Sequence, residues 1–209
     1  MKRYGIGALV LASAFLLALA AWKVPVAKAD AFVADTPAVR GSIGETVGDF
    51  RLPDAKGAEH TLSSLRGKNG TVLIFVAVQC PVSNAYNARM EKLAQDYKAR
   101  GINVVGINAN ASESVEDIAR HASEKSLTFT ILKDKDNRIA DLLGALVTPE
   151  AYVLDTGSKI VYRGRIDNSR SGDAITSNDL RDALDQMLSG KQVTKSEARA
   201  FGCSIKRVS

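Results

Sequence analysis

Apolar and polar positions along this chain fall into short blocks, and beyond residue 46 the blocks predict a succession of strands and helices. Phe50-Arg51-Leu52 and His60-Thr61-Leu62 flank the turn-rich stretch Pro53-Asp54-Ala55-Lys56-Gly57, the pattern of a small β-hairpin. Residues 71–78 form an apolar, β-branched run too short for a helix, as expected of a central strand buried on both faces. After Gln79-Cys80-Pro81, the residues Val82, Ala85, Tyr86, Met90, Leu93 and Tyr97 recur at three- and four-residue spacing up to Gly101. That period predicts one long helix with Pro81 at its first position, where a missing N–H costs nothing.

Residues 102–107 predict a second strand, and 114–124 an amphipathic helix with Val115, Ile118 and Ala119 on its inner face. A short strand at 129–132 and a short helix marked by Ile139, Leu142 and Leu143 follow. The runs 151–154 and 159–162 flank Thr156-Gly157-Ser158 as an antiparallel hairpin, and a last helix covers about 177–188, closed by Gly190. Parallel crossovers followed by an antiparallel pair predict an α/β domain: a mixed central β-sheet with helices on both faces.

The first thirty residues follow another logic. Lys2 and Arg3 precede an apolar run from about Ile6 to Trp22, and Ala27-Lys28-Ala29 offers the small residues that a signal peptidase needs. Residues 1–29 therefore read as an export signal cleaved after Ala29, with a retained membrane anchor as the alternative. Either way the folded part is expected in the periplasm or outside the cell. Residues 30–45, rich in Ala, Pro, Gly and Thr without an apolar period, read as a flexible leader. Charge changes its meaning with this division. Residues 1–29 hold Lys2, Arg3, Lys23 and Lys28 and no acid, so the formal +5 of the whole chain falls to +1 beyond them. The basic excess belongs to the signal, which removes the case for nucleic acid as a partner and leaves membrane contact only to an uncleaved anchor.

Chemistry concentrates on Cys80. It stands where a buried strand stops and a helix begins, the usual place for function in an open α/β sheet. Unpaired N–H groups at a helix start lower a thiol pKa, and the thiolate is the reactive form. Gln79 and Pro81 on either side argue against a cysteine that merely fills the core.

The segments VLIFVAVQCPVSNAY at 72–86 and TPEAYVLD at 148–155 resemble the thioredoxin-like superfamily, and more closely the peroxiredoxin-like redoxins of the alkyl hydroperoxide reductase and thiol-specific antioxidant family. IVYRGRIDN at 160–168 and AFGCSIKR at 200–207 resemble the C-terminal pattern of that subgroup, so the likeness spans about 44–207. It implies a thioredoxin fold over 46–190, a C-terminal tail at 191–209 carrying Cys203, and thiol oxidoreductase activity without a bound cofactor. It also implies that Pro149, in the Thr148-Pro149 pair, is cis and packs against the active thiol, shaping a substrate groove with Thr148, Pro81 and Ser83.

Two departures stand out. Ser83 occupies the place of a second cysteine in a Cys-x-x-Cys motif, so local dithiol chemistry is impossible. Peroxidases of the superfamily carry a hydroxyl residue three positions before the reactive cysteine, and here that residue is Ala77. Within the chain only Cys203 can resolve an oxidised Cys80, which makes it the candidate resolving thiol. A permanent staple is the alternative, since closing a loop of more than 100 residues stabilises by roughly 5 kcal/mol on chain-entropy grounds. Arg163 and Arg165 are candidates to stand beside Cys80 and favour its thiolate or bind a substrate anion. His60 and His121 have no further ligands at metal spacing, so no metal site is expected. The expected partners are a protein thiol or disulfide, or a peroxide, together with an external electron donor. The competing function is a scaffold that keeps the fold and has lost turnover.

Overall fold

The computed structural model describes residues 41–208; the predicted export segment and residues 30–40 of the leader lie outside them. In chain order the elements are β1 (Arg51–Pro53), β2 (Glu59–Thr61), β3 (Gly70–Phe75), α1 (Pro81–Ala85), α2 (Asn87–Lys98), β4 (Ile102–Asn108), α3 (Val115–Glu124) and β5 (Thr130–Lys133). They continue with α4 (Arg138–Leu143), β6 (Val147–Thr148), β7 (Glu150–Leu154), β8 (Ile160–Gly164), α5 (Asp179–Leu188), β9 (Glu197–Ala198) and β10 (Cys203–Ser204). Among the described residues, no helix is long and apolar enough to cross a membrane.

Six strands form the main sheet in the order β5-β4-β3-β7-β8-β9. β3, β4 and β5 run parallel, β7 is antiparallel to β3, and β8 is antiparallel to β7. All six residues of β3 are buried, as the apolar run requires of a strand covered on both faces. Alternation along that strand divides the core in two. Val72 and Ile74 pack with Met90, Leu93 and Tyr97 of α2, Ile118 of α3 and Leu180 and Leu184 of α5. Leu73 and Phe75 point the other way, into a cluster with Ile139, Ala140 and Leu143 of α4 and with Leu52 of the β1–β2 hairpin. Helices therefore cover both faces, and the expected thioredoxin fold is the fold observed.

Two local differences from the sequence reading shape the site. β3 ends at Phe75, not at Val78, because the amides beyond Val76 leave the ladder for side chains. Ala77 N–H donates to Ser83 Oγ (3.1 Å), and Val78 and Gln79 N–H donate to the Glu113 carboxylate (2.9 and 2.8 Å). The predicted long helix is broken at Tyr86, whose amide bonds to the Ser83 carbonyl at 3.0 Å, a tighter turn than α-helix. The Tyr86 ring is buried with its hydroxyl donating to the Asp167 carboxylate (2.9 Å), and Arg89 lies over its face at 3.5 Å. Apolar spacing cannot show such a break, since both pieces bury the same face.

The last residues of the expected leader are held on β8: Gly44 N–H donates to the Ile160 carbonyl (2.8 Å) and Ile160 N–H to the Glu45 carbonyl (2.9 Å). The tail beyond α5 also pairs, through β9 parallel to β8 and through β10 antiparallel to β6.

Candidate active site at the end of the central strand

Cys80 is the N-cap of α1 and Pro81 its first helical residue, as the order strand, cysteine, proline predicts. The sulfur accepts a hydrogen bond from Ser83 N–H at 3.3 Å. Because α1 has only five residues, this donor, more than a long helix dipole, stabilises negative charge there. Thr148-Pro149 is a cis peptide, and the Cys80 thiol donates to the Thr148 carbonyl at 3.3 Å, which brings the expected proline loop to the expected cysteine. That contact suits the thiol and would repel the thiolate. The Thr148 hydroxyl, buried without a hydrogen-bond partner, is the donor able to turn to an ionised sulfur.

Ser83 does not face the sulfur with its hydroxyl; it holds the loop instead. Its side chain is buried and accepts the Ala77 amide. Ser83→Ala leaves that buried donor unpaired and is expected to cost about 1–3 kcal/mol. The melting temperature then falls by several degrees. A calorimetric melt within about one degree of the parent rejects that role.

The second thiol is brought in by the tail. In the β10–β6 ladder, Cys203 is the partner of Thr148 and Ser204 that of Val147. Gly202 makes the approach: a Cβ there would lie 1.9 Å from the Thr148 carbonyl oxygen and 3.2 Å from Pro149 N. That pairing brings Cys203 near enough to Cys80 for each thiol to shift the other's ionisation, and both are free thiols. Cys80 is 3% exposed, whereas Cys203 is half-buried. Burial pushes the Cys80 thiol up, but the Cys203 thiol, Thr148 and the Ser83 amide pull it further down, to below the ordinary 9.0. Cys203 moves the opposite way, raised by the neighbouring Cys80 sulfur and by burial. The pair thus holds one thiol that ionises more readily and a second that keeps its proton longer.

The two predicted arginines are engaged elsewhere. Arg165 pairs with Asp179 (2.7 Å), and Arg163 pairs with Glu197 (3.6 Å) and donates to the Gly41 carbonyl (3.1 Å). His60 pairs with Asp54 and His121 with Asn87. Sequence reasoning missed Glu113, a buried carboxylate that accepts both amides preceding Cys80. It also missed Asn108 and Asn110, which donate to that carboxylate. The available signal was a polar cluster, Asn108 to Glu113, just beyond a parallel strand, where sites of α/β sheets gather.

A thioredoxin-type sheet carries one thiol at a helix start, the Thr148 carbonyl of a cis Thr-Pro pair bonded to it, and a second thiol on the strand paired with Thr148, the parts that thiol oxidoreductase chemistry needs. The chain belongs to the AhpC/TSA family, whose sequence profile matches residues 43–163. It is 32% identical over 130 residues to a thiol-disulfide oxidoreductase ResA of Halalkalibacterium halodurans, covering 62% of this chain and 71% of that protein. It is 30% identical over 131 residues to a chloroplastic peroxiredoxin Q of Sedum lineare, covering 58% of this chain and 69% of that protein. Among solved structures, a hypothetical protein from Sinorhizobium meliloti 1021 superposes with a TM-score of 0.75 at 31% identity, over 80% of this chain and 96% of that one. The protein is an oxidoreductase of the thiol-disulfide oxidoreductase and peroxiredoxin-like kind.

Proposed function

We propose that the protein is an exported two-thiol oxidoreductase in which Cys80 attacks and Cys203 resolves. The observation that carries this reading is the β10–β6 ladder, which sets Cys203 beside the sulfur at the start of α1. In thiol–disulfide exchange, the Cys80 thiolate attacks one sulfur of a substrate disulfide and the other substrate sulfur leaves as a thiolate. Cys203 then gives up its proton and attacks the Cys80 sulfur, releasing the second substrate thiol and closing a Cys80–Cys203 disulfide. The substrate gains two electrons, the chain loses two, and an external dithiol returns them.

A second reading, reduction of a hydroperoxide, is favoured by the burial of Cys80 under the tail. A small oxidant reaches it with less displacement of β10 than a protein disulfide needs. Attack on the peroxide oxygen yields a sulfenic acid and an alcohol or water, and Cys203 condenses with the sulfenic acid to release water. Export rests on the pattern of residues 1–29, with a protein or peroxide outside the cytoplasm as substrate.

The test expresses the full chain in a bacterium and measures intact mass of protein released from the cell envelope, after treatment with oxidised glutathione or hydrogen peroxide. We expect a chain beginning at Asp30, lighter by its two thiol hydrogens, and the faster oxidant identifies the substrate class. Two alkylatable thiols after both oxidants reject the resolving role of Cys203, and a mass that retains residues 1–29 rejects cleavage.

A further inference from the structure

We infer that Asn110 and Glu113 are positioning residues that hold the two cysteine-bearing segments in reach of each other. The inference rests on the two-thiol reading above and adds the residues that set its geometry. Both side chains come from the turn that follows β4, and both are buried. Glu113 Oε1 accepts Gln79 N–H (2.8 Å) and Oε2 accepts Val78 N–H (2.9 Å), the two amides immediately before Cys80. Asn110 Nδ2 donates to the same carboxylate at 3.0 Å, while Asn110 Oδ1 accepts the backbone N–H of Lys206 at 2.8 Å. The Lys206 carbonyl in turn accepts Ala111 N–H at 2.7 Å.

Two side chains therefore connect the peptide just before Cys80 to the peptide three residues after Cys203. On the other side of Cys203, Gly202 is seated against Thr148. The tail is thus fixed on both sides of its thiol, and one of those two anchors is tied to the loop that carries the nucleophile. A buried carboxylate with four donors is held firmly. The buried Lys133 ammonium supplies opposite charge nearby, bonded to Asn108 Oδ1 (3.1 Å) and the Asn110 carbonyl (2.6 Å). Such a bracket raises the effective concentration of Cys203 at Cys80 without touching either sulfur. Its loss should weaken closure of the disulfide without making Cys80 itself slower to react once Cys203 is removed from the comparison.

The experiment compares Asn110→Ala and Lys206→Pro with the parent chain. Lys206→Pro removes the N–H that Asn110 accepts, at an exposed position, and so keeps the test open should Asn110→Ala fold poorly. Because it also removes an ammonium that acts on Cys203, its disulfide constant is read against Lys206→Met, which keeps the N–H and lacks the charge. The equilibrium constant of the Cys80–Cys203 disulfide against glutathione is expected to fall about tenfold or more in both. In a Cys203→Ser background, the rate of Cys80 with hydrogen peroxide should be no lower than with the unmodified bracket, since a looser tail uncovers the sulfur. A general structural defect would move both readouts together. A disulfide constant unchanged in both variants overturns this inference alone. A parent chain that forms no intramolecular disulfide overturns it together with the reading it rests on.

Discussion

Cys80→Ser is expected to reduce turnover of both disulfide and peroxide substrates to the level of buffer. A serine hydroxyl neither ionises near neutral pH nor passes through the sulfenic or disulfide states that the reaction requires. The same variant gives a spectroscopic prediction. Thiolate absorbance of the reduced parent should rise in two steps, the first below 9.0 and the second above it, because Cys80 is lowered and Cys203 raised. The steps belong to the interacting pair, and removing one member is what assigns them. In Cys80→Ser the early step disappears, and the remaining one moves down toward the ordinary thiol value because the sulfur that raised Cys203 is gone. An early step that survives the substitution would place the reactive thiolate on Cys203 and reverse the assigned roles.

What could be read in the sequence was what depends on local order. The apolar run into β3, the polar interruption at Gln79 and the following Pro81 put Cys80 at a strand end and helix start, and that is where it lies. Thr148 and Pro149 were found through their resemblance to a known pair; their peptide is cis, and the Thr148 carbonyl accepts the Cys80 thiol. What could not be read depends on distant residues meeting. β9 and β10 are two residues each, too short for any alternation to show. Arg163 and Arg165 looked available because a strand pattern does not reveal that Glu197 and Asp179 reach them. Glu113 had no partner in view either, since its four donors come from Val78, Gln79, Asn108 and Asn110 and only the fold assembles them. The reactive residue was therefore legible, and the groups that tune and position it were not.

Gly202→Val is expected to detach the tail from the site while leaving the main sheet intact. The atoms that a Cβ would meet are the carbonyl oxygen and carbon of Thr148, at 1.9 and 2.6 Å, and backbone cannot swing aside as a side chain can. β10 must move away from β6, and Cys203 moves with it, since it is the Thr148 partner in that ladder. Overpacking of this kind costs about 1–3 kcal/mol. Much of that cost can be relieved by releasing the tail, whose residues Ser204, Lys206 and Arg207 are exposed. Each 1.4 kcal/mol is about a factor of ten, so Cys80 should be uncovered roughly ten to a hundred times more often. Its alkylation by a small reagent should accelerate in that proportion, while oxidation by peroxide stops at the sulfenic acid instead of closing to Cys203. Trapping with a dimedone-type probe separates these products by mass. A variant that alkylates at the parental rate and still forms the disulfide would show that the tail does not need its close seat on Thr148 to deliver the second thiol.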